Sequence, residues 1–388
     1  MTTEEARLED RIKERITSDG PIQFKTFMEI VLYDPQQGFY TNLDDVTRAF
    51  QTNPARYSPY WGIGMAKLYL ELFKCMSTDQ LVICEGGAGN GTLARDVLDY
   101  LAVVHPDIHR KMMYIIIEIS PSLVEKQKRT LSKHLDKVRF ILSDVEPFPF
   151  ASDKPMIFTS NELPDAFPAN LVKLECEEPT EDYLKWGSSK VKPLFRADGG
   201  IFWESLSELY VDVGQAGNLV MVGKPVMDES VRRYVERWHS EMGEWQFNLL
   251  IVNQKMIRWY ESLIGSMRAG GFIVTVDDMA PYYGSELYND FVRTYGAHDG
   301  SDNPLVNPGM LDIICPVDLN FLQKIGENRG LRTLNIEQAG ILGDKGLVAY
   351  MHPEFKNVRR GLGMFSVLIQ GKDVELPDLN DGVVSNSY

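Results

Sequence analysis

Leu81-Val82-Ile83-Cys84-Glu85-Gly86-Gly87-Ala88-Gly89-Asn90-Gly91-Thr92 runs from an apolar stretch into a cluster of glycines, and Thr92 to Val103 then carries helical spacing. That order predicts a strand, a tight turn and a helix. Glycine suits such a turn because the chain bends sharply and a ligand must come close to the backbone. The spacing is G-x-G-x-G across Gly87, Gly89 and Gly91. It lacks the third-glycine offset of the dinucleotide fingerprint, and it lacks the Gly-Lys-Ser/Thr end of a phosphate-binding loop. A pyrophosphate ligand is therefore disfavoured.

Working outward, Met113 to Ile119 is a second apolar run, Pro121 to Leu135 a helix, Val138 to Leu142 a third strand and Met156 to Ser160 a fourth. Gly271 to Val276 reads as a fifth strand after a helix over Gln254 to Met267. Strands separated by helices argue for a parallel sheet with crossover connections, an α/β class with a Rossmann-like core. A sulfonium cofactor carries no phosphate and asks for backbone groups, an acid near its amino-acid end and an acid for its ribose. Glu85 is placed for the amino-acid end, and Glu118, ending the second strand, for the ribose hydroxyls. Asp144 is placed for the adenine amino group. With Gly87, Gly89, Gly91, Thr92, Ile119 and Asn161 these make the candidate site for S-adenosylmethionine. The competing reading is of turn glycines and strand-end acids without a ligand.

The remainder divides into an N-terminal region of helices and an aromatic loop (1–76), the core just described (77–174), an inserted element (175–250) and the C-terminal half of the core (251–388). Residues 4 to 32 predict two short helices around Asp19-Gly20-Pro21. Between Leu171 and Asn248 the pattern predicts a β-rich insertion followed by helices. Leu319 to Arg329 predicts a helix, and Gly346 to Met351 with Met364 to Ile369 a terminal pair of strands.

The 388 residues carry a formal net charge of −15 with 44% hydrophobic residues, a composition that folds and that disfavours nucleic acid as a partner. Cys75, Cys84, Cys176 and Cys315 are far apart, which fits a reducing compartment. The acidic N-terminal stretch lacks the apolar core of a signal peptide and the arginines of a presequence. No apolar run reaches the roughly 18 residues of a membrane span. The expectation is a cytoplasmic protein without a membrane partner, with a homodimer left open.

Several stretches together resemble the MidA-like methyltransferases, to which the mitochondrial complex I assembly arginine methyltransferase is related. They are Gly20-Pro21-Ile22 with Phe24 and Phe27-Met28; Leu32-Tyr33-Asp34-Pro35 and Gly38-Phe39-Tyr40; Glu85 to Leu93; Ile117 to Leu123 with Gln127; and Asn161 to Pro168. Tyr295, His298, Asn303-Pro304-Leu305, Asn307-Pro308-Gly309, Asp312-Ile313 and Val317-Asp318-Leu319 extend the likeness. The resemblance implies a class I fold with a mostly parallel seven-stranded sheet, S-adenosylmethionine as donor and, for mitochondrial members, protein arginine methylation. Where the family usually reads Gly-Asp-Phe and then Thr-Ser-Pro-Glu, this chain has Arg48-Ala49-Phe50 and Thr52-Asn53-Pro54-Ala55. Two acids are thus replaced in that loop.

Methyl transfer from a sulfonium depends on alignment and desolvation more than on a strong base. A guanidinium acceptor must also be held and lose a proton, which calls for paired carboxylates. Glu162 and Asp165 offer such a pair, or else they orient a loop and cap a helix. The replaced acids turn the reading towards a small-molecule acceptor such as a carboxylic acid or phenol, with a protein arginine as the alternative. Arg48 and Arg56 offer positive charge for a carboxylate. Tyr33, Tyr40, Tyr57, Tyr60 and Trp61 are candidates for the walls of an acceptor pocket, or for packing of the loop. His298 is a candidate general base, or a structural histidine. His105 and His109 are split by Pro106, so no metal site is expected. A further alternative is an assembly factor that binds the cofactor without catalysis.

Overall fold

Seven strands form one sheet: β1 (Val82–Gly86), β2 (Met113–Glu118), β3 (Val138–Leu142), β4 (Met156–Asn161), β5 (Gly271–Asp278), β6 (Arg332–Glu337) and β7 (Phe365–Lys372). Their order is β6-β7-β5-β4-β1-β2-β3. β1 pairs in parallel with β2 and with β4, and β2 with β3 and β4 with β5 are parallel too. β7 alone runs antiparallel, between β5 and β6. Every residue of β1 and β4 is buried, as expected for central strands covered on both faces, whereas β3 lies at an edge and is partly exposed. The chain leaves β1 towards β2 on one side while β4 lies on the other. The order therefore reverses beside β1, where open sheets of this kind bind ligands at their carboxyl ends.

The computed structural model describes residues 7–41, 52–174, 200–243, 249–278, 292–295, 303–337, 341, 365–377 and 379. Two compact units interleave along the chain. The first comprises Met1–Phe50, Ala166–Lys255 and Ala280–Pro316, and the second Gln51–Asp165, Met256–Met279 and Val317–Tyr388.

The second unit holds the seven-stranded sheet. The helices Tyr60–Lys74 and Thr92–Val104 supply Trp61, Met65, Tyr69, Leu93, Val97 and Leu101 to a core that includes Ile83, Tyr114, Ile116, Ile157, Phe272 and Val274 from the strands. These two helices touch so closely that a Cβ on Gly62 would collide with Cβ of Asp96.

The first unit is built on an antiparallel sheet of Ile22–Gln23, Leu206–Val213, Asn170–Leu174 and Leu249–Val252, with Leu219–Pro225 beside Leu206–Val213. Helices Leu8–Asp19 and Phe24–Tyr33 pack their apolar stripes, Leu8, Ile12 and Ile16 with Phe24, Phe27 and Val31, into its core. The β-rich element and helix Glu229–Met242 expected after Leu171 are both in this unit.

Two elements differ from the sequence-based expectation. The helix after Ser120 covers Pro121–Thr130 and stops short of Leu135, because the chain turns there to bury Leu131 and His134. β6 was not foreseen as a strand. It takes the edge of the sheet beside β7, and Gly346 to Met351, expected in that place, lies outside the described residues.

Candidate functional site

The site is built at the carboxyl ends of β1, β2 and β4, all within the second unit. Glu85 stands next to last in β1 and is 2% exposed. Its Oε2 accepts a hydrogen bond from the Tyr114 hydroxyl at 2.7 Å. Burial pushes the Glu85 carboxyl up to about 7, against the pull of the Tyr114 bond and with an added push from the charge of Glu118.

The turn that follows is held by backbone bonds from Gly87 N–H to Ile117 O and from Gly91 N–H to Ala88 O. Asn90 Oδ1 accepts from the N–H of Thr92, the first residue of the helix, at 3.0 Å. Gly89 has φ +53°, a left-handed conformation that disfavours any side chain, and among the described residues nothing lies within 4 Å of where its Cβ would stand. The backbone here borders open space, as a cradle for a ligand requires.

Glu118 closes β2 and is 5% exposed. Its Oε1 accepts from Ser120 N–H and its Oε2 from Gln127 Nε2, each at 3.0 Å. Burial raises its carboxyl, and those two donors oppose the rise. Ile119, beside it, is 50% exposed, an apolar surface at the mouth of the site. Asp144, past the end of β3, accepts from Glu146 N–H.

At the end of β4, Glu162 adopts φ +51°, uncommon for a residue with a side chain. Its N–H donates to Val276 O on β5. Its Oε1 accepts both from Asn161 Nδ2 and from Asn53 N–H, at 3.0 Å each. Glu162 thus ties the end of β4 to the short helix Asn53–Arg56. Asp165 is buried in the short 3-10 turn Pro164–Ala166. Burial raises the Tyr57 phenol; the neighbouring Arg56 opposes this and the charge of Glu162 adds to it. The Arg56 guanidinium lies 5.6 Å from the Tyr57 ring centroid. The same segment is fastened to the helix behind the glycine turn, where Ser58 Oγ donates to Asp96 Oδ2 at 2.6 Å and accepts from Arg95 Nη2 at 2.9 Å.

The structure therefore gathers Glu85, Gly87, Gly89, Gly91, Thr92, Glu118, Ile119, Asn161 and Glu162, with Tyr57, in one unit. Trp61 is fully buried in its core and Tyr60 is exposed. Tyr33 and Tyr40 belong to the first unit, where Tyr33 OH donates to Ala166 O and Tyr40 OH to the Asp312 carboxylate. His298 and Arg48 lie outside the described residues. Sequence reasoning did not single out Tyr114 or Asn53, and it noted Gln127 only within a motif. Gln127 had a signal of its own, since it shares a helical stripe with Leu123 and Val124 and is a polar residue on a buried face.

Open space over Gly89, the buried acceptor Glu118 and the exposed Ile119 fit an adenosyl ligand without phosphate. A family model described as "Putative S-adenosyl-L-methionine-dependent methyltransferase" matches residues 65–337. A Drosophila melanogaster protein named "Protein arginine methyltransferase NDUFAF7 homolog, mitochondrial" is 27% identical over 341 residues, covering 83% of this chain and 70% of that one. A Burkholderia thailandensis protein crystallised with S-adenosyl-homocysteine superposes with TM-score 0.69 at 18% identity, over 97% of this chain and 95% of its own. Another structure from that organism gives TM-score 0.68 at 20% identity, over 95% and 92% of the two chains.

Proposed function

The chain belongs to this family of S-adenosylmethionine-dependent methyltransferases, and on that premise we propose that its methyl acceptor is a small molecule bearing an oxygen nucleophile, a carboxylic acid or a phenol. The observation that carries this reading is the use made of Glu162. One oxygen of its carboxylate holds Asn161 Nδ2 and Asn53 N–H together. A guanidinium is gripped by a fork of parallel bonds that needs both oxygens of a carboxylate in register. Here one of them is spent on positioning the loop, and Ala49 and Ala55 stand where the family's loop acids would be.

The bound cofactor supplies an electrophilic methyl group on a positively charged sulfur. In this reading Glu118 would accept from ribose hydroxyls, Ile119 would cover an apolar ring and the turn Gly87 to Gly91 would offer backbone groups. An ionised carboxylate or phenolate is already nucleophilic, so the protein's task is to align it and exclude water. Arg56, exposed on the loop that Glu162 holds, offers the charge that would draw an anionic acceptor.

A second reading, protein arginine methylation, is supported by the arginine methyltransferase name of the Drosophila relative and by the presence of both Glu162 and Asp165. Incubation with methyl-labelled donor decides between them. Label in small acids or phenols from a panel is expected, and label confined to protein arginines overturns the proposal.

A further inference from the structure

Gln127 is buried completely, yet it lies on a helix whose other residues facing the sheet are apolar. Its Nε2 donates to Glu118 Oε2 at 3.0 Å and to Gly89 O at 2.9 Å. Gly91 comes within contact distance too, because a Cβ placed there would stand 3.4 Å from Gln127 Cα. One amide thus bridges the acid at the end of β2 and the tip of the glycine turn after β1. These are the two pieces of the cofactor site, and they come from separate strand-to-helix connections.

The amide can face only one way. Both hydrogens of the NH2 group are taken by acceptors, one a carboxylate and the other a carbonyl. Turning it over would set Oε1 against two other oxygens in a buried place. Oε1 finds no donor among the described residues, so the orientation is fixed by the two acceptors alone.

We propose that Gln127 is a positioning residue for cofactor binding, which holds the Glu118 carboxylate ionised and aimed while locking the Gly89 carbonyl to it. The proposal rests on the cofactor assignment and adds to it a residue that touches neither reacting atom. Its physical content is that a buried carboxylate needs donors to stay charged. Ser120 N–H is one of them, and Gln127 is the side-chain one. Glu85 on β1 is near enough for its charge and that of Glu118 to oppose each other. Among the described residues the groups that hold the Glu118 carboxyl down are hydrogen-bond donors, Ser120, Gln127 and Ile119, and none of them is a cation.

The test uses the full chain and calorimetry with S-adenosyl-homocysteine at about pH 6 and about pH 8, for wild type, Gln127→Met and Gln127→Glu. Removing both donors in Gln127→Met is expected to weaken binding by roughly tenfold, and more at the lower pH, where the less supported Glu118 takes up a proton. Gln127→Glu is expected to show the reverse dependence. It binds worse at the higher pH, where two adjacent carboxylates repel, and recovers at the lower pH, where a shared proton restores one hydrogen bond. A residue that merely packed would weaken binding equally at both pH values. Equal weakening, or unaltered binding in both variants, overturns the proposal. If Gln127→Met fails to fold, as its melting would reveal, the pH dependence of Gln127→Glu decides alone. Failure of the wild type to bind would instead strike the cofactor assignment itself.

Discussion

The hydroxyl of Tyr114 on β2 donates to Oε2 of Glu85 on the neighbouring β1, 2.7 Å away and out of reach of solvent. Glu85 pairs in the ladder with Ile116, so Tyr114, one side-chain repeat earlier on β2, emerges on the same face of the sheet. The bond lowers the carboxyl, but burial outweighs it and leaves the group at about 7 against an ordinary 4.5. In the unfolded chain the proton leaves first as pH rises, so the folded state binds more protons in that interval. Stability from this group is therefore full below about pH 4.5 and declines as pH rises to about 7. The loss reaches about 3 kcal/mol. Asp34 and Asp228, both held below the ordinary range, act in the opposite sense at lower pH. The comparison is accordingly made against Glu85→Gln, with melting of the ligand-free protein at about pH 5 and about pH 8. The variant should lose most of the fall in stability between them. Parallel pH profiles for the two proteins would count against a protonated Glu85.

Gly89 offers a test in which folding and binding separate. A side chain there must accept φ +53°, at a cost of about 1–2 kcal/mol, but its Cβ meets no atom of the described residues within 4 Å. Gly89→Val should therefore still fold while placing methyl groups over the turn proposed to cradle the cofactor. Calorimetry is expected to find no binding of S-adenosyl-homocysteine to a variant that melts cooperatively. Wild-type affinity in that variant would be incompatible with a cradle at this turn.

The contact between the helices Tyr60–Lys74 and Thr92–Val104 makes a third prediction. Gly62 sits against Cβ and the backbone of Asp96, and that same Asp96 holds Ser58 on the loop before the helix. Gly62→Ala has to push the helices apart, with a loss of about 1–3 kcal/mol. Thermal melting reads the loss. A change within measurement error would mean that the helices slide without cost.

The strand, turn and helix around the glycines were legible because each is local. An apolar run, a glycine cluster and helical spacing lie within one short stretch of chain, and Glu118 announced itself by closing the next apolar run. Tyr114 was not legible as a partner of Glu85, since only the register of β1 on β2 brings them together. Asn53 escaped for the same reason, as it meets Glu162 through its backbone N–H, which no residue type reveals. β6 went unread because an edge strand buries little. Arg332 and Asn335 are exposed and Leu334 and Ile336 half-buried, so its pattern lacks the continuous apolar run of β1 or β4.

Glu162 separates the two acceptor classes. In Glu162→Gln the side-chain carbonyl oxygen still accepts from Asn53 N–H and Asn161 Nδ2, so the loop keeps its anchor while the charge is removed. An oxygen acid that arrives ionised needs no base at this position and gains from the absence of a neighbouring negative charge. Its kcat/KM is expected to stay within about fivefold of wild type. Glu162→Ala strips the anchor and should cost on the order of tenfold or more through misalignment alone. A guanidinium acceptor reverses the ranking, because it depends on the charge both for its grip and for loss of its proton. Glu162→Gln would then lose on the order of a hundredfold. A glutamine variant as poor as the alanine variant on the panel acids, measured with labelled donor, would overturn the reading of Glu162 as an anchor alone, and a hundredfold loss in that variant on protein arginines would return the site to arginine.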